Sequence, residues 1–441
     1  MRGEGDSAFA AVLEAVRRAE PAAARTRVKR ITGLLIEAGP LRVPLGSRLV
    51  IHAKASGSRV PVELVGFSEN GIFLMPFANF VGIAPGDEVT FETSSQLIWL
   101  GEDMLGHVID GEGSFLDGGN APRPDPRPIY REAPPALSRK PGREPFYTGI
   151  RAWDGFLTMG RGQRIGVFAG TGVGKSILLG MIARNCNADV NVLALVGERG
   201  HEVNDFIENA LGEEGMKRSL LVVATSDQTP LMRLRAAFVA AAAAEYFAER
   251  GANVLFLMDS ITRMAMAARE IGLSIGEPPT AKGYPPSVFA MMPRLLERGG
   301  NFAQGSITSI ISVLLEADDL MDPIGDAVRG VLDGHVVLDR ALANRGHYPA
   351  IAVNDSLSRW MSQVVDGDHQ ELARQGRRVL AEYRDAEDLV NIGAYVAGSN
   401  PSIDEALKLI GPLRRYLAQG ILERTEPGEI VTGLREALKA S

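Results

Sequence analysis

The sequence is poor in cysteine, in histidine, in long apolar runs and in any excess of positive charge. Its one cysteine, Cys186, excludes an intramolecular disulfide framework and suits a reducing cytoplasm, where it is expected to pack as a small apolar side chain. The histidines are scattered without the spacing of metal ligands. No apolar run reaches the roughly 18 to 20 residues that a membrane-spanning helix needs. Asp6, Glu14, Arg17 and Arg18 interrupt any secretory signal segment, so a cytoplasmic protein is expected. The formal net charge of -7 removes a global attraction to nucleic acid or to an anionic membrane, leaving only local basic sites.

What is present is a chain of 441 residues, 45% apolar and 23% charged, the profile of a globular protein with two or three domains. Near its start, Phe9, Val12, Leu13 and Val16 share one face of a short helix that Ser7 can cap. That stripe either docks a partner or packs on its own domain; periodicity does not say which. From about Val28 to Leu100 short β-like runs at 30–37, 49–53, 60–67, 71–75 and 88–93 alternate with turn residues such as Glu69-Asn70-Gly71 and Pro85-Gly86-Asp87. Short strands at this spacing predict a small barrel or sandwich, with nothing catalytic in it. Residues 121–145 carry eight prolines and read as an extended linker that wraps or connects rather than packs. Beyond it, apolar strands at 164–168, 190–196, 220–224 and 254–259 alternate with helices, including an alanine-rich one at 230–250. This alternation predicts an α/β fold with a parallel sheet covered on both faces. After about Arg359 the strands stop, and helices are expected at 363–383, 386–396, 402–419 and 429–440.

Between the strand 164–168 and a helix beginning near Ile177 lies Ala169-Gly170-Thr171-Gly172-Val173-Gly174-Lys175-Ser176. Strand, glycine loop and helix is the context of a phosphate-binding loop. Glycines let the backbone turn tightly so that several N–H groups meet one anion, at the positive end of the new helix. Lys175 would meet the β- and γ-phosphates and Ser176 would offer a hydroxyl to Mg²⁺. The usual pattern begins with glycine, and Ala169 stands there. Asp259, ending the strand 254–259, is placed to act on Mg²⁺ through water or from just outside its direct ligands. Glu198 ends a second strand and can orient the attacking water; read alone, its loop fits a solvated charge better.

Longer motifs narrow the choice. Gly149-Ile150-Arg151-Ala152-Trp153-Asp154-Gly155, Gly160-Arg161-Gly162-Gln163-Arg164, Gly197-Glu198-Arg199, Asp259-Ser260-Ile261-Thr262-Arg263 and Asp333-Gly334-His335 resemble the catalytic subunits of the rotary ATPase superfamily. Gly276-Glu277-Pro278-Pro279, Gly283-Tyr284-Pro285-Pro286-Ser287-Val288-Phe289 and Gly346-His347-Tyr348-Pro349-Ala350-Ile351 resemble the ATPases of type III protein export, above all the flagellar ones. The resemblance covers nearly the whole chain.

It implies a RecA-like P-loop core with an N-terminal β-barrel and a C-terminal helical domain, divided as 1–25 (partner-docking helix), 26–95, 96–358 and 359–441. It implies Glu198 as the catalytic carboxylate, Lys175 and Ser176 on phosphate and Mg²⁺, and Asp259 near the metal. Gly170, Thr171, Gly172, Val173 and Gly174 complete the phosphate loop, and no metal other than nucleotide-bound Mg²⁺ is expected. Tyr348 would stack on adenine, although it also suits a core position after a turn. Arg359 would be an arginine finger given to the next subunit's site, or else a salt-bridge residue opening the helical domain. His201 stands where the export family usually has Arg.

The implied activity is ATP hydrolysis by a translocase, a homo-hexamer at the cytoplasmic side of the inner membrane, peripheral at the flagellar base. Implied partners are a regulator or stator protein at the N-terminal helix, a coiled-coil stalk, the export gate, and export substrates with their chaperones; no nucleic acid is expected. A virulence-injectisome ATPase shares every motif. A non-catalytic nucleotide-binding ring subunit would typically lack the carboxylate at position 198, and an RNA ring helicase would want a basic, aromatic barrel.

Overall fold

Alternating apolar residues close the first part of the chain on itself. In the computed structural model, which describes residues 24–94, 96–319 and 321–439, six antiparallel strands form a barrel in the order β1-β2-β5-β4-β3-β6. These are β1 (Arg25–Thr32), β2 (Leu35–Ala38), β3 (Arg48–Ala53), β4 (Ser58–Ser68), β5 (Gly71–Pro76) and β6 (Glu88–Thr93). Pairing of Arg25 with Thr90 joins β1 to β6 and removes the open edges. Leu49 and Ile51, Val62 and Leu64, Ile72 and Leu74, and Val89 fill the interior. The run expected at 30–37 is a hairpin, because Gly33 at φ 59 reverses the chain between the paired Thr32 and Leu35. The apolar stripe expected on Phe9 to Val16 lies outside the described residues.

Contacts divide the chain between Gln96 and Leu97, so the strand β7 (Leu97–Leu100) belongs to the second unit and not to the barrel. Two further short strands follow, β8 (Val108–Ile109) and β9 (Asp125–Pro128), and β9 pairs with β7. The proline-rich stretch packs where a connector was expected. Proline removes N–H donors but leaves carbonyls; the buried Arg298 donates Nη1 to the Ile129 carbonyl of this stretch at 2.8 Å, and from within the stretch Arg139 donates to the Gly299 carbonyl at 2.6 Å. Arg127 and Arg131 in turn bind Glu249 on the helix side. A small ladder, β10 (Pro145–Phe146) with β11 (Met159–Gly160), precedes the main sheet.

That sheet runs β19-β18-β12-β17-β15-β13-β14-β8. Its strands are β12 (Arg164–Ala169), β13 (Val190–Val196), β14 (Ser219–Ala224), β15 (Asn253–Asp259), β17 (Ser306–Leu314), β18 (Gly334–Val337) and β19 (Leu357–Ser358), with β16 (Gly300–Asn301) paired to β17. From β18 to β8 every neighbour is parallel, and β13 is buried at every position, as a sheet covered on both faces requires. The helix Pro230–Ala248 packs on β13, β14 and β15; Ala236, Ala237, Ala240, Ala243 and Ala244 are fully buried and permit the close approach.

Three helices end the chain, Gly367–Asn391, Pro401–Leu417 and Pro427–Lys439. The first is continuous where a break near residue 385 was expected. Neither Gly nor Pro lies there, and Ala386 is buried on the same face as Val379. The interruption comes later, where Gly393 takes φ 71 and Asn400 caps the next helix through the Ser402 N–H at 3.0 Å. Among the described residues no helix is long and apolar enough to cross a membrane.

Candidate active site

The parallel register brings the carboxyl ends of β12, β13 and β15 to one edge. Met258 pairs with Ile311 of β17, Ala169 with Leu314 and Leu195 with Asp259, so the three strands end within about two residues of one level. After β12 the loop turns through Gly172 (φ 76) and Gly174 (φ 90), left-handed conformations that favour glycine, and the helix Lys175–Asn185 begins. After β13, Gly197 (φ 75) redirects the chain so that Glu198 turns inward.

These turns assemble three charges. Lys175 Nζ donates to Asp259 Oδ1 at 2.5 Å and stands 4.0 Å from Glu198 Oε1. Ser312 Oγ donates to the same Asp259 oxygen at 2.6 Å. Asp259 is buried, and Lys175 and Glu198 are largely so. Burial and the neighbouring Asp259 charge push the Glu198 carboxyl up to about 7, against the opposing pull of Lys175 and Arg263. Thr171, Gly172 and Ser176 face solvent, while Val173 is buried. An exposed loop of this kind, floored by a lysine and two carboxylates, can take up a polyphosphate and replace the Lys175–Asp259 contact with one to phosphate.

Tyr348 lies at the rim. Its ring sits over Gly174, where an added Cβ would be 3.4 Å from Cδ1 and Cε1, and its carbonyl accepts the Gln419 N–H at 2.9 Å. The residue is 45% exposed, leaving room for a flat ligand. Arg359 is not part of this cluster. It follows β19, whose Ser358 pairs with Gly334 at the amino end of β18, and its N–H donates to the Asp333 carbonyl at 3.1 Å. Asp333 meets Arg164 at the start of β12, about 16 Å along that strand from the phosphate loop.

Sequence reading missed several neighbours. Ser312 lies in β17, where Ser306, Thr308 and Ser309 also interrupt the apolar pattern, so the sequence did not single it out. Arg263 belongs to a quoted motif but had no assigned role; its side chain packs against Gly197, and its Nε is buried with no hydrogen-bond partner among the described residues. Glu202 hydrogen-bonds to Glu198 and caps its own helix through the Arg199 N–H. Asp318 and Arg340 form a two-pronged ion pair, at 2.7 and 3.1 Å, against Gly170, which leaves no room for a side chain there. His201 and Arg199 are exposed. Among the described residues no group of His, Cys, Asp and Glu forms an all-protein metal site.

Residues 149–358 match the nucleotide-binding domain of the ATP synthase alpha/beta family, and residues 365–436 match the C-terminal domain of the type III secretion ATPase EscN. The chain is 52% identical to the flagellum-specific ATP synthase of Bacillus subtilis, over 89% of this chain and 90% of that protein. It is 49% identical to that of Pseudomonas aeruginosa, over 90% and 89%. A type 3 secretion system ATPase of Xanthomonas euvesicatoria is 45% identical over 89% of each. The assembled ATPase EscN of enteropathogenic E. coli superposes with a TM-score of 0.89 at 42% identity, over 94% of this chain and all of that one. EscN in complex with its central stalk EscO superposes with a TM-score of 0.86 at 41% identity, over the same shares.

Proposed function

Because the chain belongs to the family of flagellum-specific ATP synthases and type III secretion ATPases, we propose that it hydrolyses ATP to energise or gate the export of flagellar proteins. The observation that carries the chemistry is the approach of Glu198, Lys175 and Asp259 at the carboxyl ends of β13, β12 and β15. Backbone N–H groups of residues 170–174 and the Lys175 ammonium receive the β- and γ-phosphates. Glu198, raised toward neutrality, orients the water and takes its proton. The Ser176 hydroxyl and the Asp259 carboxylate are hard oxygen donors that suit Mg²⁺; when bound, that ion neutralises charge on the β- and γ-oxygens. Since Lys175 and Ser312 already hold Asp259 Oδ1, we assign Asp259 to the metal through water. The Tyr348 ring stacks on the base, and the Arg359 guanidinium serves the neighbouring subunit.

We read the chain as four parts, 1–25, 26–95, 96–358 and 359–441, assembling as a homo-hexamer with a coiled-coil stalk. The assembled EscN and its EscO complex support this reading. A regulator at the N-terminal helix, the export gate, chaperoned substrates and a peripheral place at the inner face of the membrane complete it. An injectisome role has its own support in the EscN likeness; a deletion strain that loses flagella and the secretion of flagellar subunits, and nothing else, decides for the flagellar role. For the chemistry, Glu198→Gln is expected to bind ATP normally and to lose turnover at least about 100-fold. Turnover near that of the parent would remove Glu198 from the mechanism.

A further inference from the structure

Arg359 leaves a strand of two residues, too short to hold a direction by itself. What holds it is a buried side chain from a distant turn. Gln163 is fully buried, and its amide spans three segments of chain. Its Oε1 accepts the Gly160 N–H at 2.9 Å. Its Nε2 donates to Ser358 Oγ at 3.1 Å and to the Asp333 carbonyl at 3.2 Å. That same carbonyl accepts the Arg359 N–H at 3.1 Å. Ser358 Oγ in turn donates to the Thr158 carbonyl at 2.9 Å, closing the network. On the other side Trp360 seats its ring against Gly142 and Gly160; a Cβ on Gly160 would lie 2.8 Å from Trp360 Cε3. Arg359 is thus flanked by a hydrogen-bonded residue and a packed one. Its own guanidinium is exposed and has no hydrogen bond or ion pair among the described residues.

A buried amide with every partner present fixes geometry more sharply than an apolar contact, because each bond is directional and an unmade one is costly. A long side chain that acts at a distance gains most from such a support, since a displacement of about 1 Å can cost about 100-fold in rate. We infer that Gln163, with Ser358, is a positioning residue for the reaction: it fixes the backbone from which Arg359 reaches the neighbouring subunit's nucleotide. The inference rests on the reading of Arg359 as a group acting in trans.

The test uses mixed assemblies of the full chain. Gln163→Leu and the milder Ser358→Ala are expected to bind a fluorescent ATP analogue like the parent. Turnover of pure Gln163→Leu falls about 100-fold. Mixed with Lys175→Ala chains, inactive themselves but carrying an intact Arg359 support, both variants are expected to recover turnover. Arg359→Ala mixed with Lys175→Ala is the control. If the control recovers and the Gln163→Leu mixture does not, the network serves only its own domain and the inference fails while the trans reading stands. If neither recovers, the trans reading fails and carries the inference with it. Loss of analogue binding in both single variants would place the network in the nucleotide site's own folding and likewise overturn it.

Discussion

At Glu198 opposing fields meet on one carboxyl. Burial and the Asp259 charge favour the neutral form, while Lys175 and Arg263 favour the anion; the balance lies at about 7, above the ordinary 4.5. In the role proposed for Glu198, a carboxyl that must be ionised to accept a proton sets the acid limb of activity. In the free enzyme kcat/KM is expected to rise with pH through about 7 and to level above it. A profile flat from about pH 6 to 8 would contradict this. The sign for stability is the reverse. With a folded value above the unfolded one, the contribution of Glu198 is complete below about 4.5 and is lost as pH rises through about 7. Glu198→Gln is therefore expected to resist urea better than the parent above neutrality, while the proposed role predicts loss of turnover.

The helix Arg151–Phe156 shows how a short element earns its place through side chains. Six residues do not make a stable helix alone. Asp154, fully buried, accepts from the Thr148 N–H at 2.9 Å, the Thr148 hydroxyl at 2.8 Å and the Gly149 N–H at 2.8 Å. Arg151 points the other way, donating Nε to the Tyr416 carbonyl at 3.0 Å and reaching the Ala418 carbonyl and Glu423. Gln419 answers by accepting the Arg151 N–H and donating to the Gly149 carbonyl, both at 2.8 Å. The motif thus clamps the C-terminal helices to the nucleotide-binding sheet, next to Tyr348. Asp154→Ala strands buried N–H donors and is expected to lower stability by at least about 2 kcal/mol in urea unfolding. A loss under about 0.5 kcal/mol would show that those donors find other partners.

For the whole molecule the decisive fact is that Arg359 and Lys175 lie at opposite edges of the sheet. A single chain therefore holds the candidate phosphate loop and an exposed arginine placed away from it. Turnover per chain is expected to rise with protein concentration as assembly proceeds, measured as rate beside mass by light scattering. Equal turnover in isolated monomers and in assemblies would mean that the site is complete in one chain.

Read alone, the sequence determined whatever depends on contiguous residues. Loop conformation is local, so the glycines at 172 and 174 and the adjoining Lys175 and Ser176 marked 169–176 as a candidate phosphate loop without knowledge of the fold. Strand-ending carboxylates made Asp259 and Glu198 candidates, and the longer motifs pointed to Tyr348 and Arg359. Periodicity was also enough for most of the short barrel strands and for four strands of the sheet, but not for β17 (Ser306–Leu314) or β18 (Gly334–Val337), the turn at Gly33 or the continuity of the helix through Ala386. Strand order was decided only in three dimensions, because no local pattern records that β12 lies between β17 and β18. Ser312 reaches Asp259, Arg340 and Asp318 meet over Gly170, and Gln163 supports Ser358 only once that order exists. Each of these contacts joins residues far apart in the chain, and the free energy that selects them comes from burying the whole sheet at once.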